Sequence, residues 1–133
     1  MKRLLKQMLA LLALVLLLPA AAVAAEPAAG SLGEIGADGM PLLARKSNCS
    51  ACHMVGNEKK MLVPSWEDIS RKYKESGSYD FAGKKYPVAE GLILKVSKGG
   101  AGVWGTMPMP ANSPMVKDED IKVMVHFIVG LAK

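Results

Sequence analysis

The five residues Cys49-Ser50-Ala51-Cys52-His53 constrain this chain more than any other stretch. They read C-x-x-C-H, the pattern by which a c-type haem is attached. Each part has a chemical task. Two thiols add across the two vinyl groups of the porphyrin, and two intervening residues make a turn tight enough for both sulfurs to reach one edge. The histidine is then delivered to one face of the iron. Other readings of the same residues explain less. A thioredoxin-like dithiol stands at a strand-to-helix junction of a βαβ unit, and no such pattern occurs here. A structural zinc needs about four ligands. Cys49, Cys52, His53 and His126 make four, but Cys52 and His53 are adjacent and no second pair has finger-like spacing. A local disulfide in an oxidising compartment and a chance match complete the alternatives. The chain is therefore read as the wrapping of one covalent haem c.

The first 25 of the 133 residues support an exported location. Lys2, Arg3 and Lys6 form a positive start, Met8 to Leu18 an apolar run broken by Pro19, and small residues follow, with Ala22-Val23-Ala24 and Val23-Ala24-Ala25 as alternative cleavage sites. This is the pattern of a secretory signal peptide. An uncleaved membrane anchor is the alternative; the run is near the lower limit for a span, and Pro19 and the small-residue tail favour cleavage. With cleavage, no stable membrane insertion remains. The formal charge of the whole chain is +5, but the mature part keeps 14 Lys+Arg against 12 Asp+Glu, a net +2. Haem propionates lower that further. With no basic stripe on a recognisable module, nucleic acid is not expected as a partner. Bacterial c-type haem is joined to protein outside the cytoplasm, so address and motif agree on the periplasm.

Along the mature chain the pattern is all-α. Residues 26–37 are small and glycine-rich and read as a flexible lead-in; one domain is expected over 38–133. A first helix is expected from about Gly39 to Lys46, capped by Asp38, with Met40, Leu43 and Ala44 on one stripe. A second starts at Ser65, spaced from Asp68 like a capping box, shows Trp66, Ile69 and Tyr73 on one face, and ends near Lys74. The turn-rich stretch 76–87 carries Tyr79, Phe81 and Tyr86. Pro87 suits a helix start, and Ala89, Leu92, Ile93 and Val96 follow a helical period up to Gly99-Gly100. Gly91 weakens this helix slightly. Residues 101–117 are too rich in proline and glycine for regular helix. A last helix runs from about Asp118 to Leu131, with Ile121, Met124, Val125, Ile128 and Leu131 as its buried stripe and Lys122, His126 and Lys133 opposite. No stretch shows convincing strand alternation.

His53 fills one axial position of the iron, and the other decides function: a second protein ligand makes an electron carrier, an open site permits ligand binding or catalysis. His126 sits on a polar helix face and reads as a solvated side chain. Met107, Met109 and Met115 lie in the proline-rich loop. Met109 stands between Pro108 and Pro110, which hold the backbone extended and lack N–H groups, so that loop is free to lie along a haem face. Met107 is the next candidate. Met61, Met115 and Met124 read as flexible core fillers.

CSACH at 49–53, Pro64 opening VPSW, GGAGVWGTMPMPAN at 99–112 and a closing C-terminal helix together resemble a small bacterial class I (monohaem) cytochrome c. The resemblance spans about Asp38 to Lys133. It implies the cytochrome c fold, about four short helices packed around one covalently attached haem. It also implies thioethers at Cys49 and Cys52, His53 as proximal and Met109 as distal ligand, and a Pro64 carbonyl that orients the His53 ring. Trp104 is implied to reach a haem propionate through its indole N–H, and Asn112 to support the methionine loop. The segment between the second and third helices is longer than in the smallest members, and Phe127 stands where tryptophan is common.

The expected function is that of a periplasmic one-electron carrier, not an enzyme. It would be a monomer when unbound, meeting redox proteins through the exposed haem edge, with Lys59, Lys60, Lys84, Lys85, Lys95 and Lys98 as candidates for a basic rim. The alternatives are a dedicated cytochrome c subunit of a periplasmic oxidoreductase complex and, requiring an open sixth site, a haem peroxidase or gas-binding protein.

Overall fold

The computed structural model describes residues 30–57 and 62–133. The expected signal peptide, the start of the lead-in, and Lys59, Lys60 and Met61 lie outside the described residues. Among the described residues the chain forms four α-helices and one β-hairpin: α1 Leu42–Lys46, α2 Trp66–Ser76, β1 Ser78–Phe81, β2 Lys84–Pro87, α3 Val88–Lys98 and α4 Asp118–Val129. A single 3-10 turn, Cys49–Ala51, follows α1.

Local chemistry sets most boundaries. In α2 the Ser65 hydroxyl accepts the Asp68 N–H at 3.1 Å, and Glu67 and Asp68 face the helix N-terminus, where acidic groups are favoured. The helix runs past Lys74 to Ser76 and stops at Gly77, which takes φ 67°. In α4, Asp118, Glu119 and Asp120 occupy the first turn, and Ile121, Met124, Val125 and Ile128 are buried. The first helix is shorter than its period suggests. Pro41 pushes the residue before it out of helical geometry, so α1 begins at Leu42 and not Gly39. Asp38 caps the preceding turn instead, its carboxylate accepting the Met40 N–H at 3.0 Å. That bond, with Arg45 beside it, lowers the Asp38 pKa. Residues 30–35 are not loose: the Gly30 N–H reaches Asp120 at 2.7 Å, and Leu32 and Glu34 accept the N–H groups of Leu43 and Leu42.

The hairpin corrects the expectation of no strands. Tyr79 pairs with Tyr86 and Phe81 with Lys84 across it. Its turn is Ala82-Gly83, both at positive φ, and Asp80 accepts the Gly83 N–H at 3.0 Å. Strands of four residues show too little alternation to be read from sequence, and Ala-Gly is a weaker turn signal than Asn-Gly or Asp-Gly. The hairpin packs on α3 because Gly91 lets it: a Cβ there would stand 2.6 Å from Cβ of Tyr79. Gly91 is thus a packing requirement as well as a helix weakness.

Two apolar clusters form the core. One joins Met40, Leu43 and Ala44 to Trp66, Met124 and Ile128; the other joins Tyr73 and Tyr79 to Leu92, Ile121 and Val125. Helix α4 contributes to both. Met124 is a core filler as expected, whereas Met115 is 90% exposed, because the loop before α4 carries it away from the helices.

Candidate haem-binding site

The 3-10 turn brings the motif together. Asn48 takes φ 60°, a left-handed geometry that asparagine tolerates, and the N–H groups of Cys52 and His53 return to the Cys49 carbonyl at 3.3 and 3.0 Å. Cys49 and Cys52 are both free thiols. Cys49 is half-buried near Met124 (Sγ to Sδ 3.9 Å), and burial raises its thiol pKa; Cys52 is exposed.

The chain after His53 is zipped to the start of α2. The N–H groups of Trp66 and Glu67, which no helical carbonyl can reach, donate to Met54 and Val55 at 2.9 and 3.0 Å. This holds Pro64 next to the imidazole: His53 Nδ1 lies 2.9 Å from the Pro64 carbonyl oxygen. A carbonyl only accepts, so Nδ1 carries the proton and the neutral ring keeps its lone pair on Nε2.

The loop from Gly99 to Ser113 is fastened to the last turn of α3. Gly100 and Met109 form an antiparallel bridge, with Gly100 N–H to Met109 O at 2.9 Å and Met109 N–H to Gly100 O at 3.0 Å. Asn112 donates from its backbone to Val96 O at 3.2 Å, and from Nδ2 to both Val96 O and Pro110 O at 3.1 Å. Ser113 N–H reaches Ser97 O at 3.3 Å. The loop thereby satisfies carbonyls that a helix C-terminus leaves open. Gly99 makes the close approach possible: a Cβ there would fall 2.5 Å from Met109 O.

These pieces line one cleft of about 540 Å3, with Cys49, Cys52, His53 and Pro64 on its wall together with Trp104, Met107, Met109 and Asn112. Trp66, Tyr79, Leu92, Met124, Val125 and Ile128 add the apolar surface of both core clusters. The size is that of a cofactor site. Two unpaired thiols, an imidazole with a free lone pair and thioethers in an apolar cleft are a donor set that fits haem c. Trp104 is 37% exposed and Lys72 Nζ lies 4.3 Å from its ring centroid, while Met107 is 51% exposed. His126 is exposed on α4 and does not line the cleft. The Tyr73 hydroxyl is buried with no partner among the described residues, and its ring leans on cleft-lining Tyr79 at 4.8 Å. Sequence reasoning placed Tyr73 on a buried face and assigned it no polar role.

Comparison with known proteins supplies the class. The family model for cytochrome c matches residues 37–132. The chain is 37% identical over 90 residues to cytochrome c-551 of Allochromatium vinosum, covering 68% of this chain and 83% of that protein. It is 39% identical over 89 residues to cytochrome c-552 of Nitrosomonas europaea, covering 67% of this chain and 75% of that protein. The crystal structure of wild-type Nitrosomonas europaea cytochrome c552 aligns with a TM-score of 0.52 at 40% identity, over 67% of this chain and 95% of that one. The chain therefore belongs to the cytochrome c family. It is a small electron-carrying protein of the bacterial class I kind, its cofactor is covalently bound haem c with iron, and it exchanges electrons with redox partners.

Proposed function

We propose that this protein is an exported, periplasmic one-electron carrier whose iron is held by His53 and Met109. The observation that carries the reading is the pairing of two prepared ligands on one cleft. The Pro64 carbonyl fixes the His53 tautomer with Nε2 free, and the Gly100 bridge pins the backbone of Met109. Haem c held in this cleft would supply the one-electron chemistry of its iron. The chain's residues do the rest. Cys49 and Cys52 would hold the macrocycle through thioethers. Pro64 keeps the imidazole oriented and more basic. Asn112 braces the loop, and Trp104 offers its indole N–H to a propionate at the cleft mouth. A thioether is a neutral ligand that favours the reduced iron, so His/Met ligation holds the potential high.

With His53 and Met109 both holding the iron, no position would remain for a substrate, and the protein would act as a carrier and not an enzyme. It works as a monomer that meets partners briefly at the exposed haem edge, through the small interfaces typical of redox encounters. Lys72, whose ammonium lies 4.3 Å from the Trp104 ring centroid, is a source of positive charge there.

The test is the visible spectrum of ferric parent protein beside Met109→Ala. The parent should show a sulfur–iron charge-transfer band, and the variant should lack it. Persistence of the band in Met109→Ala would remove Met109 and make Met107 the ligand.

A further inference from the structure

Lys95 reads from sequence as one more solvated lysine of a basic rim. In the structure its Nζ donates to the carbonyl oxygen of Gly100 at 2.5 Å. That carbonyl also accepts the N–H of Met109 at 3.0 Å, and the Gly100 N–H returns to Met109 O at 2.9 Å. Lys95 is partly buried on the cleft wall, one turn before the end of α3. The loop it touches needs such a support. Gly99, Gly100, Gly102 and Gly105 all take positive φ, and glycine-rich backbone is costly to order. Among the described residues the Gly100–Met109 bridge closes residues 100–109, with one further backbone hydrogen bond inside them (Gly102 N–H to Gly105 O, 2.9 Å), and residues 101–108 are exposed. A charge-assisted hydrogen bond is roughly twice as strong as a neutral one, so the ammonium is a strong clamp on the bridge.

We infer that Lys95 is a positioning residue for the axial methionine: by holding the Gly100 carbonyl, it locks the bridge that carries Met109. This rests on Met109 being the ligand. A lysine on a haem cleft has a competing use, pairing with a haem carboxylate. That use changes the potential through charge alone and leaves the loop closed.

The experiment uses haem-loaded protein as parent, Lys95→Met, Lys95→Arg and, as a control, Lys98→Met at an exposed position of the same helix. Imidazole is titrated into the ferric form, where it competes with the methionine, and the sulfur–iron band, reduction potential and thermal midpoint are followed. Lys95→Met should bind imidazole about tenfold more tightly than the parent, the scale of one lost charge-assisted hydrogen bond. Its band should bleach at correspondingly lower imidazole. Lys95→Arg should recover most of the parent affinity, and Lys98→Met should match the parent. Unchanged imidazole affinity in Lys95→Met overturns the inference: with a shifted potential it assigns Lys95 to a haem carboxylate, and with only a lowered thermal midpoint to general stability. A parent that lacks the band overturns Met109 ligation itself, a failure read from a different sample.

Discussion

Ser70 shows how much one small polar residue carries here. It is 1% exposed, donates to Val129 O at 2.9 Å and accepts the Ala132 N–H at 2.8 Å, tying α2 to the chain end. Ser70→Ala strands two backbone groups, and should cost about 2 kcal/mol in urea unfolding of the haem-loaded protein, the usual penalty for an orphaned buried partner. Gly99 is the other critical position. At φ 71°, with Met109 O 2.5 Å and Ala111 N 2.7 Å from a would-be Cβ, only backbone movement can accommodate a methyl group. Gly99→Ala should retain covalent haem but lose most of the sulfur–iron band in the ferric spectrum. Cys49, Cys52 and His53 were legible from spacing alone, because the attachment chemistry demands adjacent residues. Ser70 and Lys95 were not, because their partners lie on other parts of the backbone and carry no side-chain signature.

Among the elements, the hairpin is where sequence and structure part. Ala82 sits at φ 53° in its turn, a region costly for an L residue with a Cβ and tolerated by asparagine. Ala82→Asn should raise stability by about 0.5 kcal/mol, read from denaturant midpoints. Gly91→Ala should do the reverse. Better helix propensity is worth about 1 kcal/mol, but the clash with Tyr79 is overpacking, at about 1–3 kcal/mol, so net destabilisation is expected in the same measurement. Tyr79 also gives the fold a pH limit. Burial, reinforced by Tyr73, raises its phenol pKa well above the ordinary value of 10.0, and burial raises Tyr73 likewise. The folded state thus favours the protonated phenols. Their contribution is complete below about pH 10 and is lost as pH rises, because the unfolded chain ionises first. Denaturant midpoints should hold up to about pH 10, fall as pH rises above it, and fall less in Tyr79→Phe. The long helices were legible because burial repeats at a helical period over three turns. The first helix was misjudged at its start because the stripe of Met40, Leu43 and Ala44 is real, all three being buried, while Pro41 forbids the helix that would carry Met40.

At the scale of the molecule, both core clusters reach the cleft: each sends residues to its wall. A chain this small has little apolar area to spare, so the haem is part of the core. A Cys49→Ser/Cys52→Ser variant, made without covalent haem, should lose its cooperative thermal transition and most near-ultraviolet circular dichroism. A retained sharp transition would show that the helices support one another unaided. Composition, periodicity and the C-x-x-C-H spacing determined by themselves that this is a helical chain built on haem c, since attachment and helix burial are written in residues a few positions apart. The tertiary structure alone decided that residues 76–87 hold a hairpin seated on Gly91. It put the Pro64 carbonyl, which the family resemblance implied for His53, 2.9 Å from the imidazole 11 residues away, and fastened the methionine loop to the end of α3. Those contacts join backbone groups distant in sequence, and a backbone carbonyl looks the same in every residue until the fold gives it a partner.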